Sequence, residues 1–264
     1  MLGARLATAA VAIPILLAII FAAPPVGMSI LIFVLGAIAV AEYMGMAFAG
    51  ASFDRWIGAT CGVAVIAVAV ASRSPGLATT AATTAAMAVL LAAVVARAED
   101  LAVGLERAAV SLLGIVYVAV LAHFVWLHHL DDGPFWVTFA VANGMASDTG
   151  AYFAGKAFGR RKLLPRVSPG KTVEGAIGNL AAAAFVGLLA GWLFFPQVGL
   201  RVMVALAVVL AAVGQVGDLS ESAIKRAFGS KESGAIFPGH GGVLDRIDSL
   251  LFPVAILYYY RALS

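Results

Sequence analysis

The chain has 264 residues, of which 62% are hydrophobic and only 12% charged, with a formal net charge of +3. That is far more apolar surface than one water-soluble core can bury, which excludes a soluble globular protein and leaves lipid as the solvent for most of the chain. The single cysteine, Cys61, excludes a disulfide framework and reads as a packed thiol.

Read in windows of about 19 residues, the sequence resolves into roughly nine apolar segments, each long enough to cross a hydrocarbon core of about 30 Å as a helix. In chain order they are Leu6–Ala23, Met28–Phe48, Ile57–Ala71, Ala78–Val95, Ala108–Trp126, Phe135–Phe153, Val173–Phe195, Met203–Val216 and Ser249–Tyr260. Backbone in lipid must satisfy its own hydrogen bonds, so the predicted class is all-α and polytopic. The first segment is read as a retained helix, because its apolar core is longer than the 7 to 15 residues usual for a signal peptide. The stretch ATTAATTAAMA, positions 78 to 88, reads as a small-residue packing surface. No repeat period is present, so residues 1–264 are expected to form one membrane domain. Within it, 1–130 supply apolar helices, and 131–264 carry the polar chemistry.

Basic residues in short loops stay on the cytoplasmic side. With the N-terminus inside, nine spans put Arg5, Arg55, Arg97, Arg107, Lys156, Arg160, Arg161, Lys162, Arg166, Lys171, Lys225, Arg226, Lys231 and Arg246 inside, leaving only Arg73, Arg201 and Arg261 outside. The expected location is the cytoplasmic (inner) membrane, with both long polar loops facing the cytoplasm.

Glu42, inside the second segment, stands out because an acid at membrane depth costs a few kcal/mol unless it is paired or faces water. Two readings stand: it reaches the interface, or it has a functional role. In the sixth segment Asp148 and Tyr152 share a helical face with Gly144 and Gly155, and the acid is expected to face the bundle interior. An interhelix hydrogen bond without chemistry is the simpler role for it.

The loop that follows concentrates six cations in sixteen residues, a density suited to phosphates or anionic headgroups. Its GKT, Gly170 to Thr172, is not a phosphate-binding P-loop. Pro165 stands where that motif needs its first glycine, and a membrane helix precedes it in place of a strand. Thr172 is expected to cap the next helix, with Glu174 in its first turn.

The last polar region is GDLSESAIKRAFGSKESGAIFPGHGGVLDRIDS, positions 217 to 249. If the eighth span continues as helix, Asp218, Glu221, Ser222 and Lys225 form one stripe. Across the glycine-rich turn, Asp245, Asp248 and Ser249 form a second. A hairpin of these two helix ends brings four carboxylates together. Such a cluster repels itself unless a cation neutralises it, and oxygen-only ligation favours Mg²⁺ or Mn²⁺ over zinc. Asp218, Asp245 and Asp248 are the candidate ligands, with Glu221 a ligand or an outer neighbour. Lys225, Arg226, Lys231 and Arg246 would bind anionic oxygens beyond the metal, which describes a phosphate-handling site.

These residues carry a resemblance. Ser222, Lys225-Arg226, Lys231 with an acid after it, Phe237-Pro238, His240-Gly241-Gly242 and Asp245-Arg246-Ile247-Asp248 resemble the signature of the phosphatidate cytidylyltransferases. Asp148, Ala151-Tyr152, Gly155-Lys156, Phe158-Gly159-Arg160, Ser168-Pro169, Lys171 and Glu174-Gly175 are similar to the same family's second block. Glu232 departs from the family's usual aspartate and is left out of the site. The N-terminal spans match only in being apolar.

The resemblance implies a Mg²⁺-dependent nucleotidyl transfer from CTP to phosphatidic acid, giving CDP-diacylglycerol and pyrophosphate. Partners are then CTP, phosphatidic acid and membrane lipids, with no nucleic acid. The oligomeric state, including a homodimer, and a second, monovalent cation are left open. Lys225 and Arg246 would bind the CTP phosphates; Lys171, Ser168 and Arg166 would hold either substrate's phosphate. His240 either shapes a turn that donates N–H groups or acts as an acid. Asp148 and Tyr152 would support the site from the neighbouring helix.

Two other classes compete. An ion-coupled transporter needs matching broken helices in two halves and polar groups near the midplane, whereas the acids here sit at helix ends in the C-terminal half only. A CDP-alcohol phosphotransferase needs two final aspartates separated by three residues, whereas two separate Asp245 from Asp248. A lipid-binding scaffold would leave CTP unturned.

Overall fold

The computed structural model describes residues 13–72, 74–97, 100–234 and 241–264. The residues before position 13, with the start of the first apolar segment, and His240 lie outside the described residues. The remainder is helical save for one small hairpin: α1 (13–21), α2 (Pro25–Ala47), α3 (Ser52–Ala71), α4 (Leu77–Arg97), α5 (Leu101–Ala119), α6 (Ala122–His128), α7 (Gly133–Phe158), β1 (Lys162–Leu164), β2 (Ser168–Thr172), α8 (Val173–Leu193), α9 (Leu200–Ala227) and α10 (Leu244–Leu263).

Local chemistry sets these boundaries. Pro25 opens α2, where its missing N–H costs nothing. Asp100 caps α5 by accepting from the N–H groups of Ala102 and Val103, both at 3.1 Å. Trp126 of α6 donates its indole N–H to the carbonyls of Ala69 and Ser72, satisfying the open end of α3.

Among the described residues, six helical stretches are long and apolar enough to cross a bilayer: Pro25–Ala47, Ser52–Ala71, Leu77–Arg97, Leu101–His128, Val173–Leu193 and Leu200–Ala227. They correspond to six of the nine predicted segments. The sixth and ninth segments fall in α7 and α10, which are full-length helices that carry polar and charged residues among the apolar ones. Leu77, Phe185 and Trp192 are among many large apolar side chains left exposed, the surface of a protein whose solvent is hydrocarbon. The chain is a polytopic integral membrane protein.

Two departures from the sequence reading matter for the site. The loop after α7, read as irregular, forms an antiparallel hairpin in which Lys162 pairs with Thr172 and Leu164 with Ser168, so GKT lies within a strand. The α7 stripe also divides between neighbours: Gly144 meets Leu250 of α10, while Gly155 meets Thr172 and Gly175.

Small residues bring the C-terminal helices together. Gly150 and Gly178 press α7 onto α8, and a Cβ on Gly150 would come within 2.6 Å of the Gly178 carbonyl oxygen. Gly214 and Gly217 do the same for α9 and α10: a Cβ at these positions would meet the carbonyl oxygens of Ser249 at 2.8 Å and Asp248 at 2.5 Å. This close approach sets the polar end of α9 beside the first turns of α10.

Candidate active site

Thr172 caps α8 as expected, accepting from the Gly175 N–H at 3.1 Å. Glu174 reaches back to accept from the N–H groups of Arg160 at 3.1 Å and Arg161 at 3.2 Å. The cationic hairpin is thereby tied to the start of α8, and Lys171, at the end of β2, is aimed at α9. Its Nζ lies 2.6 Å from Asp218 Oδ2.

Lys171 and Asp218 line a cavity of about 540 Å³ together with Asp148, Tyr152, Asn179 and Gln215. Asp148 opens into this space and accepts a hydrogen bond from Ser249 Oγ of α10 at 3.3 Å. The simple interhelix bond foreseen for it is present, on the wall of a cavity. Tyr152 is exposed at the rim. Asn179 and Gln215 escaped the sequence reading. Gln215 Nε2 donates to Asn179 Oδ1 at 3.0 Å, crossing from α9 to α8. Two amides inside apolar helices were the available signal, since a polar group there needs a partner.

About two turns beyond Asp218 along α9, Lys225 stands between two acids. Its ammonium pairs with Glu221 and donates to Asp245 Oδ1 at 2.5 Å. Asp245 Oδ2 accepts from the Ser233 N–H at 2.9 Å, the Ser233 hydroxyl at 2.8 Å and the Gly242 N–H at 2.8 Å. Four donors on one carboxylate favour its charged form. Gly241 has φ +75°, a left-handed turn that suits glycine and lets the Gly242 N–H reach Asp245.

Glu221 is wholly buried, and its Oε1 has no hydrogen-bond donor. Asp248 is also buried, with its Oδ1 accepting from the Ser249 N–H at 2.7 Å.

The convergence of all four carboxylates on one point is corrected here. Asp218 turns to Lys171, and Asp245 turns to Lys225, because the glycine-rich loop supplies N–H groups that hold it. Among the described residues no group of three or more acids, histidines or cysteines is gathered to hold a metal ion. Acids and lysines instead form a row from Lys171 and Asp218 to Glu221, Lys225 and Asp245.

The remaining predicted residues stand around this row. Ser222 is on α9, and exposed Arg226 donates to the Ser230 carbonyl at 3.1 Å. Lys231 is exposed on the loop, and Arg246 in the first turns of α10. Arg166 occupies the hairpin turn, with Ser168 at the start of β2. Glu42 is buried and hydrogen-bonded to the start of α10.

A model of the cytidylyltransferase family matches residues 3–264. The phosphatidate cytidylyltransferase of Brucella suis biovar 1 (strain 1330) is 50% identical over 135 residues, 50% of this chain and 50% of that protein. Those of Bacillus subtilis (strain 168) and Staphylococcus saprophyticus are 42% identical over 156 residues and 40% over 151, in each case covering 57% of both chains. The chain spans about half the length of the curated relatives it matches first.

Proposed function

Because the chain belongs to the cytidylyltransferase family, we propose that it transfers the cytidylyl group of CTP to phosphatidic acid, giving CDP-diacylglycerol and pyrophosphate. The observation that carries this reading is the row of lysines and carboxylates where α9 meets α10, beside a cavity at the ends of apolar helices. A water-soluble polyanion and a lipid phosphate can both reach such a place.

The second pKa of a phosphomonoester is near 6, so phosphatidate is largely a dianion at neutral pH and needs no strong base. Its phosphate oxygen attacks the α-phosphorus of CTP, and the bond from that phosphorus to the bridging oxygen of the β-phosphate breaks. The task left to the protein is positioning and charge stabilisation. Lys171 sits at the cavity wall to bind one phosphate, with Arg166 and Ser168 on the same hairpin. Lys225 and Arg246 bind the CTP phosphates, supported by Arg226 and Lys231. Asp148 and Tyr152 shape the cavity from α7.

The residues fit a divalent cation such as Mg²⁺ or Mn²⁺: Glu221 is a buried carboxylate with an oxygen that lacks any donor, and Asp248 is buried on the facing helix. Glu221 and Asp248 would hold it, while Asp218 and Asp245 are engaged by Lys171 and Lys225. When bound, such a cation withdraws charge from phosphate oxygens.

The direct test is pyrophosphate release from CTP by the full chain in detergent. Release should require phosphatidate and fall sharply with the other nucleoside triphosphates. Equal release from all of them, or release without the lipid, would reject the assignment.

The reading also requires this end of the helices to face the cytoplasm of a cell bounded by the inner membrane, with nine spans and the N-terminus inside. Cysteines replacing Arg161 and Ser230 should be shielded from an impermeant thiol reagent in intact cells, while one replacing Asp131 should react. Labelling at 161 or 230 would reverse the orientation and remove access to cytosolic CTP.

A further inference from the structure

Glu42 belongs to α2, in the half of the chain where the family signature has no residues, yet its carboxylate lies against the signature itself. Oε1 accepts from the Val243 N–H at 3.0 Å and Oε2 from the Leu244 N–H at 2.9 Å. These are donors of the first turn of α10 that no helical carbonyl can satisfy, and a negative charge there also complements the helix dipole. No side chain of the turn itself caps this helix; the cap comes from two hundred residues away in sequence.

Ser233 stands between this carboxylate and Asp245. Glu42 Oε2 lies 3.3 Å from Ser233 Oγ. That hydroxyl donates to Asp245 Oδ2 at 2.8 Å and accepts from the Asp245 N–H at 3.3 Å. Gly234 and Gly242 flank Glu42 so closely that a Cβ on either would collide with its oxygens. A methylene-rich replacement would bury the space equally well but leave two N–H groups unpaired, so burial alone does not account for an acid here.

We infer that Glu42 is a positioning residue for nucleotidyl transfer: from α2 it fixes the first turn of α10 and, through Ser233, aims the Asp245 carboxylate at Lys225. The role rests on the transfer reaction proposed above, but its structural half does not depend on the substrates. Glu42 touches neither the cavity nor the lysines, and it acts only through the residues it holds.

The experiment uses the full chain in detergent, comparing Glu42→Gln with wild type and with Glu106→Gln, which neutralises an exposed acid on α5. Hydrogen exchange at amides 243 to 245, measured without substrate, should accelerate about tenfold or more in Glu42→Gln and stay unchanged in Glu106→Gln. In the pyrophosphate assay kcat should fall about tenfold or more while KM for phosphatidate stays within about twofold. Glu42→Asp, which keeps the charge, should recover part of kcat.

Unchanged exchange would show that Glu42 does not hold the turn. Accelerated exchange with wild-type kcat would make it a structural acid only; either result overturns the inference. If Glu42→Gln does not extract as a monodisperse protein, Ser233→Ala carries the kcat measurement together with exchange at amide 245, whose N–H donates to the Ser233 hydroxyl, and wild-type values of both overturn the inference. A wild-type chain that releases no pyrophosphate from CTP would refute the reaction itself, while the exchange measurement still decides whether Glu42 holds α10.

Discussion

Asp245→Asn and Asp248→Asn should each lower CTP turnover by about two orders of magnitude or more while the protein remains extractable and monodisperse. The amide is nearly isosteric with the carboxylate, so packing is preserved and charge alone is removed. In Asp245→Asn the amide oxygen keeps the three donors of Oδ2 but without the carboxylate charge, and its NH₂ group faces the Lys225 ammonium, which loses its 2.5 Å contact. In Asp248→Asn, a buried acid beside Gly217 of α9 loses its capacity to hold a cation. Charge-assisted contacts of this kind are each worth about 1.5–3 kcal/mol, and two lost together reach the predicted range. Raised Mg²⁺, or Mn²⁺ in its place, should recover part of the rate in one of the two. Normal turnover in both at ordinary Mg²⁺ would remove these carboxylates from the chemistry.

Lys225→Ala should cost about one to two orders of magnitude in kcat/KM for CTP, from a single charge-assisted phosphate contact. The row of charges sharpens this expectation. With Lys225 gone, wholly buried Glu221 loses the Lys225 counter-charge and Asp245 loses a donor. The variant should therefore also be less thermally stable. Lys225→Arg keeps the charge with a different donor geometry and should restore stability better than rate. Steady-state kinetics and thermal unfolding of the three proteins check both halves. Wild-type kinetics in Lys225→Ala with unchanged folding would make this lysine a solvated surface charge.

The candidate site residues were readable in sequence because they violate the composition around them. Acids and lysines at helical spacing in an apolar chain need a reason, and Asp218, Glu221, Lys225, Asp245 and Asp248 do stand at one helix junction. Their pairing was not readable. Which acid meets which lysine depends on Gly214 and Gly217 setting the approach of α9 to α10, and on N–H groups from a loop whose path no periodicity encodes. The hairpin at 162–172 was missed for a related reason: two short strands in a cationic loop lack any apolar alternation, and they are held by the backbone bonds that Glu174 makes to Arg160 and Arg161. Glu42 was visible as an anomaly, but its partner lies two hundred residues further on, a distance that only the fold closes.

The central claim is that the α-phosphate of CTP ends on the lipid. CTP labelled at the α-phosphorus and CTP labelled at the γ-phosphorus, each incubated with phosphatidate, Mg²⁺ and the purified full chain, test it most directly. The α label should pass into the organic phase as CDP-diacylglycerol, while the γ label should remain in water as pyrophosphate, in equal amounts and only when the protein is present. Label from the γ position in the lipid, or α label that stays in water while CTP is consumed, would contradict cytidylyl transfer at this site.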